Sequence, residues 1–199
     1  MPANSKQKAR TRARIVDAAA RQFRRHGYAG AGIDSIMAEA GLTRGGFYAH
    51  FGSKAELFTE VVASRHDLID RLRGRDDADP AGLQAAAAEI LQAYLSPANL
   101  PAVAPNCGFA TLAADAARAA EPTRHAFSAQ IDAFWQELFR GRRTPPDARE
   151  TETALRVLAL AVGALTLASA SDNQPLAEAL LSAAQGQVAD WLAELAARP

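Results

Sequence analysis

Apolar residues in this chain recur at helical spacing between Gly and Pro breaks, and no segment alternates as a half-buried strand requires. Ile15, Ala19 and Phe23 share one helical face. Leu57, Val61, Leu68 and Leu72 share another, behind a Ser53–Glu56 capping-box signature. Gly27 closes the first pattern, and Pro122, Pro145 and Pro175 stand where a first helical turn tolerates a missing N–H. Helices are predicted at about 9–26, 33–40, 44–51, 53–74, 81–95, 107–119, 122–140, 146–170 and 175–196. The expected fold class is all-α with about nine helices. Proline-containing breaks fall at 97–105, 121–122, 144–146 and 173–175.

Charge divides the chain. Residues 1–75 carry 14 Lys/Arg against 7 Asp/Glu, a net of +7, and the remainder balances them at −7. A basic module beside an acidic one points to a polyanionic partner for the first. The sign changes at the Gly74–Pro80 run, the clearest linker. Cys107 is the single cysteine, so no internal disulfide framework exists and a reducing compartment fits. The basic start lacks the apolar core of a secretory leader, and the 14-residue apolar run Val157–Ala170 is short of the ~18 a bilayer span needs. A cytoplasmic protein without a membrane segment is the expectation.

Residues 33–51 have helix-turn-helix spacing. Ile36 and Ala40 face inward from the first helix and Phe47 and Phe51 from the second, with Gly41 at the tight turn and Leu42 between them. The second helix would enter a major groove. Thr43 and Arg44 open that helix, and Gly45 and Gly46 allow close backbone approach. Tyr48 and His50 can hydrogen-bond phosphates, and Lys54 lies on the same side. The arm Lys6, Lys8, Arg10, Arg12, Arg14 is suited to tracking phosphates, chiefly through Arg10 to Arg14.

The run Ile36-Met37-Ala38-Glu39-Ala40-Gly41-Leu42-Thr43-Arg44-Gly45-Gly46-Phe47-Tyr48-Ala49-His50-Phe51-Gly52-Ser53-Lys54, with Gly27-Tyr28 before it and Leu57-Phe58 after, closely resembles the TetR family of bacterial regulators. The resemblance covers residues 10–60, and its Phe-Tyr-x-His-Phe-x-x-Lys core is specific. It implies a homodimer on double-stranded DNA at an inverted repeat, with three DNA-binding helices and a six-helix effector domain. It further implies repression relieved by a small molecule. Carried over position by position, it marks Thr43, Arg44, Gly45, Gly46, Tyr48, His50 and Lys54 as DNA contacts; Arg14 joins them from the basic arm. Ala31-Gly32 departs from the Thr or Ser that often precedes the first helix, and Asp34 replaces an arginine that some members use to read a base. An acid there either accepts from a cytosine amino group or complements the helix N-terminus.

The organisation expected is a disordered basic lead-in at 1–8, a helix-turn-helix domain at 9–52, a connecting helix and linker at 53–80, and an effector-binding and dimerisation domain at 81–199. Leu155, Leu158, Val162, Leu165 and Ser169 repeat at 3,4 spacing, and Leu176, Leu180, Val188, Trp191 and Leu195 stripe the last helix. The stripes divide between internal core and a homodimer seam through the last two helices. Residues proposed around a small hydrophobic effector are Tyr94, Cys107, Phe109, Leu112, His125, Phe127, Trp135 and Thr166, with Phe134 and Phe139 nearby. Cys107, at the first position of a helix after Asn106, reads either as a packed apolar residue or as an electrophile-sensing thiol. The four histidines are scattered, and no phosphate loop, nucleophile elbow or zinc set is evident, so neither an enzyme nor a cofactor is expected. The rival reading is an architectural or partner-recruiting DNA-binding protein that senses nothing.

Overall fold

The computed structural model describes residues 2–64, 66–75 and 80–197. Among them every regular element is helical: α1 (Pro2–Gly30), α2 (Ile33–Glu39), a 3-10 helix (Arg44–Ala49), α3 (Lys54–Ser64), α4 (Asp67–Arg73) and α5 (Pro80–Tyr94) lead the chain. After short helical turns around α6 (Leu100–Val103) come α7 (Gly108–Arg118), α8 (Glu121–Leu138), α9 (Ala148–Ala170) and α10 (Gln174–Ala196). The all-α class stands. The described residues fall into two compact units, one from residues up to 65 with Thr111–Ala129, the other from residues 66–110 and 130 onward.

The first unit is built around the apolar face of α1. Ile15, Val16, Ala19 and Phe23 are buried against Ile36, Met37, Phe47 and Phe51 of the helix-turn-helix and Leu57, Phe58 and Val61 of α3. Phe23 meets the edge of Phe58 at 5.0 Å between centroids, and Phe47 stacks with Phe51 at 5.8 Å. Gly27 takes φ 68°, bending α1 where the sequence places a stop. The Tyr28 N–H at this bend donates to Asp115 Oδ2 at 2.7 Å. At the other end, α1 is helical from Pro2, where a disordered lead-in at 1–8 is expected. Residues 5–14 contain no Gly or Pro and are mostly strong helix formers, so the helix propagates backwards. Most of the predicted linker, 76–79, lies outside the described residues.

Where periodicity predicts one helix over 53–74, the chain forms α3 and α4, with His66 extended (φ −120°, ψ 98°) ahead of α4. The buried His66 ring lies 4.6 Å from the Phe109 ring, so tertiary packing overrides a continuous apolar stripe. The predicted break at 97–105 is not irregular but a series of short helical turns. Arg75, buried, donates through Nε to the Leu72 carbonyl at 2.7 Å and through Nη1 to that of Leu83 at 2.6 Å. The first bond satisfies a carbonyl in the last turn of α4 that lacks a helical partner, and the second ties that end to the first turn of α5.

In the second unit α9 and α10 pack along their length. Helix α9 starts at Ala148, two residues later than the proline pattern predicts, because Asp147 and Glu150 form a reciprocal capping box. Its buried face is Ala154, Val157, Leu158, Ala161, Leu165 and Ala168, whose alanines let α10 approach closely. By length and composition α9 is apolar enough to cross a bilayer, and 44% of its most apolar window is buried inside the protein.

Candidate nucleic-acid interface

The helix-turn-helix is held by backbone chemistry first. Gly41 sits at φ 66°, and around it the Leu42 N–H donates to the Met37 carbonyl and the Gly41 N–H to that of Ala38, each at 2.9 Å. This is a Schellman closure, and it requires a residue that tolerates the left-handed region. Arg14 Nη2 donates to the Ala40 carbonyl at 2.6 Å, tying the last turn of α2 to α1. Beside it Glu39 gathers Arg21 Nε and Gln22 Nε2, each at 2.5 Å.

The segment after the turn is a 3-10 helix at Arg44–Ala49, not the α-helix expected over 44–51. Two consecutive glycines weaken α-helical propagation there. Its inner side is Phe47, fully buried, and its outer side exposes Thr43, Arg44, Gly45 and Tyr48, the last 63% accessible. A Cβ on Gly45 would meet nothing within 4 Å, and one on Gly46 only Met37 Cε at 3.7 Å. The protein's own packing therefore does not demand glycine at either position; a close external surface would.

The remaining sequence-selected residues divide. Thr43, Arg44, Gly45 and Tyr48 share the exposed face, whereas His50 is half-buried, its Nδ1 sequestered without a hydrogen-bond partner among the described residues. Lys54 Nζ lies 4.6 Å above the Tyr28 ring. Partial desolvation lowers its pKa, against the opposing pull of the Asp115 charge. Arg14 is committed to Ala40 and Arg12 to Glu60, with its guanidinium 4.0 Å over Phe51. Of the arginines expected to track phosphates, Arg12 and Arg14 therefore brace the fold, while Arg10 is exposed. Arg44 Nη1 donates to Asp34 Oδ2 at 2.6 Å, a pairing across ten residues and a turn that no helical periodicity announces. The Ser53–Glu56 cap is present with one change: Glu56 accepts from the Gly52 N–H at 2.8 Å and donates its own N–H to Ser53 Oγ at 3.0 Å.

The eight effector-site candidates divide between the two units. Leu112 is buried in the first unit's core, with Phe127 packed against that core and His125 exposed. Thr166 is exposed on α9 with its hydroxyl bonded to the Val162 carbonyl, and Trp135 is half-buried. Tyr94, Cys107 and Phe109 are buried in the second unit. Aromatic spacing along separate helices could not say which stripes face one hollow. Cys107 is 1% exposed, with Sγ 2.6 Å from Tyr94 Oη and accepting from the Ala110 N–H at 3.3 Å. It thus caps α7, where the sequence places it one position later, and its burial fits the packed-residue alternative. Burial, followed by the neighbouring Cys107, drives the Tyr94 phenol far above its ordinary pKa. The second unit does hold a cavity of about 400 Å³, lined by Gln84, Ala88 and Gln92 of α5, Leu138 and Phe139, and Leu192 of α10. Of the aromatic region expected, only Phe139 reaches it.

An all-helical chain whose buried helix-turn-helix core carries an exposed Thr-Arg-Gly…Tyr face has the build of a DNA-reading protein. Residues 15–61 match bacterial regulatory proteins of the tetR family. The chain is 41% identical over 76 residues to the HTH-type transcriptional regulator TtgR of Pseudomonas putida, covering 36% of each chain. It is 49% identical over 55 residues to an HTH-type transcriptional repressor of Streptomyces coelicolor, covering 28% of this chain and 29% of that one. These matches thus span about a third of the length of the curated relatives. A TetR regulator structure from Chloroflexus aurantiacus superposes with TM-score 0.66 at 25% identity, covering 95% of this chain and 97% of its own. Residues 15–61 thus carry a DNA-binding region like that of the tetR family, in a chain whose fold matches a solved TetR regulator along its length.

Proposed function

We infer that the protein is a DNA-binding transcription regulator, a repressor that dimerises on an inverted-repeat operator and is released by a small hydrophobic effector. The observation that carries the reading is the outer face of the 3-10 helix, where Thr43, Arg44 and Tyr48 stand exposed around a glycine pair that internal packing does not require. Hydrogen-bonding side chains on a rigid turn, with backbone free to approach, are the means by which such a motif reads base edges.

Dimerisation is supported by large apolar residues left exposed on α9 and α10: Leu155, Leu167 and Leu176, Leu167 by 60%. Exposed apolar side chains of this kind are covered by a second copy across a two-fold axis, which also matches two half-sites. The 400 Å³ cavity of the second unit, with alanine and leucine walls and the Gln84 and Gln92 amides, has the size and polarity for the effector. A reducing cytoplasm suits a DNA-bound regulator with one buried thiol. The test is selection of bound duplexes from a random pool. Enrichment of a two-fold repeat, lost in Gly45→Glu with unchanged melting, is the expected result. Failure of the folded wild type to enrich any sequence refutes the reading.

A further inference from the structure

Asp34 stands in the first turn of α2 and Arg44 at the start of the 3-10 helix, and both side chains are 65% exposed. A solvated pair of this kind contributes little to stability, so packing energy gives no reason for an acid on a surface otherwise suited to a polyanion. Its geometry gives one. The carboxylate engages Nη1 at 2.6 Å, and the Nε and Nη2 donors of Arg44 have no partner among the described residues. That leaves the Nε–Nη2 edge of the fork, two parallel donors, directed by a fixed anchor rather than swept through solvent. Gly45 beside it places no side chain in the way.

We propose that Asp34 is a specificity-determining residue: it holds Arg44 to read one guanine, through N7 and O6, in each half-site. The carboxylate does this in two ways. It fixes the guanidinium, reducing the freedom lost on contact, and it repels phosphate oxygens, so Arg44 is directed to a base edge rather than the backbone. This rests on the DNA-binding reading above.

The experiment measures binding of wild type, Asp34→Asn and Arg44→Ala to the selected operator and to duplexes with each half-site base pair replaced in turn. Wild type is expected to lose roughly 5- to 150-fold at one G·C pair, and to lose a similar factor when that guanine is replaced by 7-deazaguanine. Asp34→Asn is expected to bind non-specific DNA more tightly while most of the preference at that one pair disappears and preferences elsewhere persist. Arg44→Ala is expected to erase the same preference. Asp34→Asn retaining full discrimination at that pair, or Arg44→Ala leaving it intact, overturns the proposal while leaving the parent reading in place. Wild type binding no duplex selectively overturns the parent reading instead.

Discussion

Replacing Gly41 by alanine should separate what the turn does for folding from what the neighbouring glycines do for DNA. At φ 66° an alanine pays the left-handed penalty, about 1–2 kcal/mol. The less flexible unfolded chain returns roughly 0.4–1 kcal/mol of that. The new Cβ would also lie 3.1 Å from Arg14 Nη2, the group that donates to the Ala40 carbonyl at 2.6 Å. Arg14 is a flexible, exposed side chain, so it moves aside and the cost is the lost bond, about 1 kcal/mol. The net destabilisation is about 1–2.6 kcal/mol, which lowers the melting temperature by several degrees at this chain length. The companion Gly45→Ala places its Cβ in open space and should melt at or slightly above the wild-type temperature, because alanine is the better helix former. Circular dichroism melts and operator titrations of both variants read the contrast. The expected pattern is a less stable Gly41→Ala and a stable Gly45→Ala with weakened operator affinity. Equal melting of Gly41→Ala and wild type would refute the strain argument, and a stable Gly45→Ala that binds normally would refute close approach at that position.

Leu167→Glu, exposed on α9, should convert a dimer to a monomer in sedimentation equilibrium with helicity retained; an unchanged mass places the interface elsewhere. Glu150 has its pKa lowered first by the Asp147 N–H and then, against the raising effect of burial, by Arg142, whose Nη1 is 2.9 Å away. A carboxyl depressed below 4.5 contributes stability that is fully present above that value and is lost as pH falls through the lower folded value. Glu150→Gln should therefore flatten the acid limb of stability measured by denaturant titration between about pH 5 and 2, and an unaltered limb would show the carboxylate is not coupled to folding. Cys107, buried and bonded, should react with a thiol reagent under native conditions only as fast as the surrounding structure opens, and much faster in denaturant; rapid native labelling would contradict its placement.

The local parts of the helix-turn-helix were legible because each has a short-range cause. Ile36, Phe47 and Phe51 are apolar at helical spacing, and Gly41 marks a turn; all three side chains are buried and the glycine is left-handed. What escaped was long-range or local in a less obvious way. The His66 break depends on a ring 43 residues further on, so a stripe through Leu57, Val61, Leu68 and Leu72 gives no hint of it. The start of α9 was readable: Asp147-Ala148-Arg149-Glu150 is a capping-box signature that the adjacent prolines obscured. The cavity was not readable, because its walls include alanines that no polarity pattern distinguishes from ordinary helix surface. Cys107 shows the same limit at one residue, since which of two neighbours caps α7 depends on backbone angles and on Tyr94, 13 residues away.

Charge counting needs the same correction. The net +7 of residues 1–75 suggests a broadly cationic surface, but in α1 Arg12 is spent on Glu60 and Phe51, Arg14 on Ala40, and Arg21 and Arg25 on Glu39. These arginines orient helices, and each pairing with an acid removes a positive charge from the field seen by DNA. Lys6, Lys8 and Arg10 remain on the exposed forward part of α1, while Arg44 is shared with Asp34 and Lys54 rests on Tyr28. A duplex docked on this unit thus meets a few positioned cations rather than a diffuse basic patch. Non-specific attraction, which scales with the phosphates neutralised, is correspondingly limited. On the reading proposed above, discrimination then depends on the exposed face of the 3-10 helix, where a carboxylate lowers indiscriminate attraction in exchange for an oriented guanidinium.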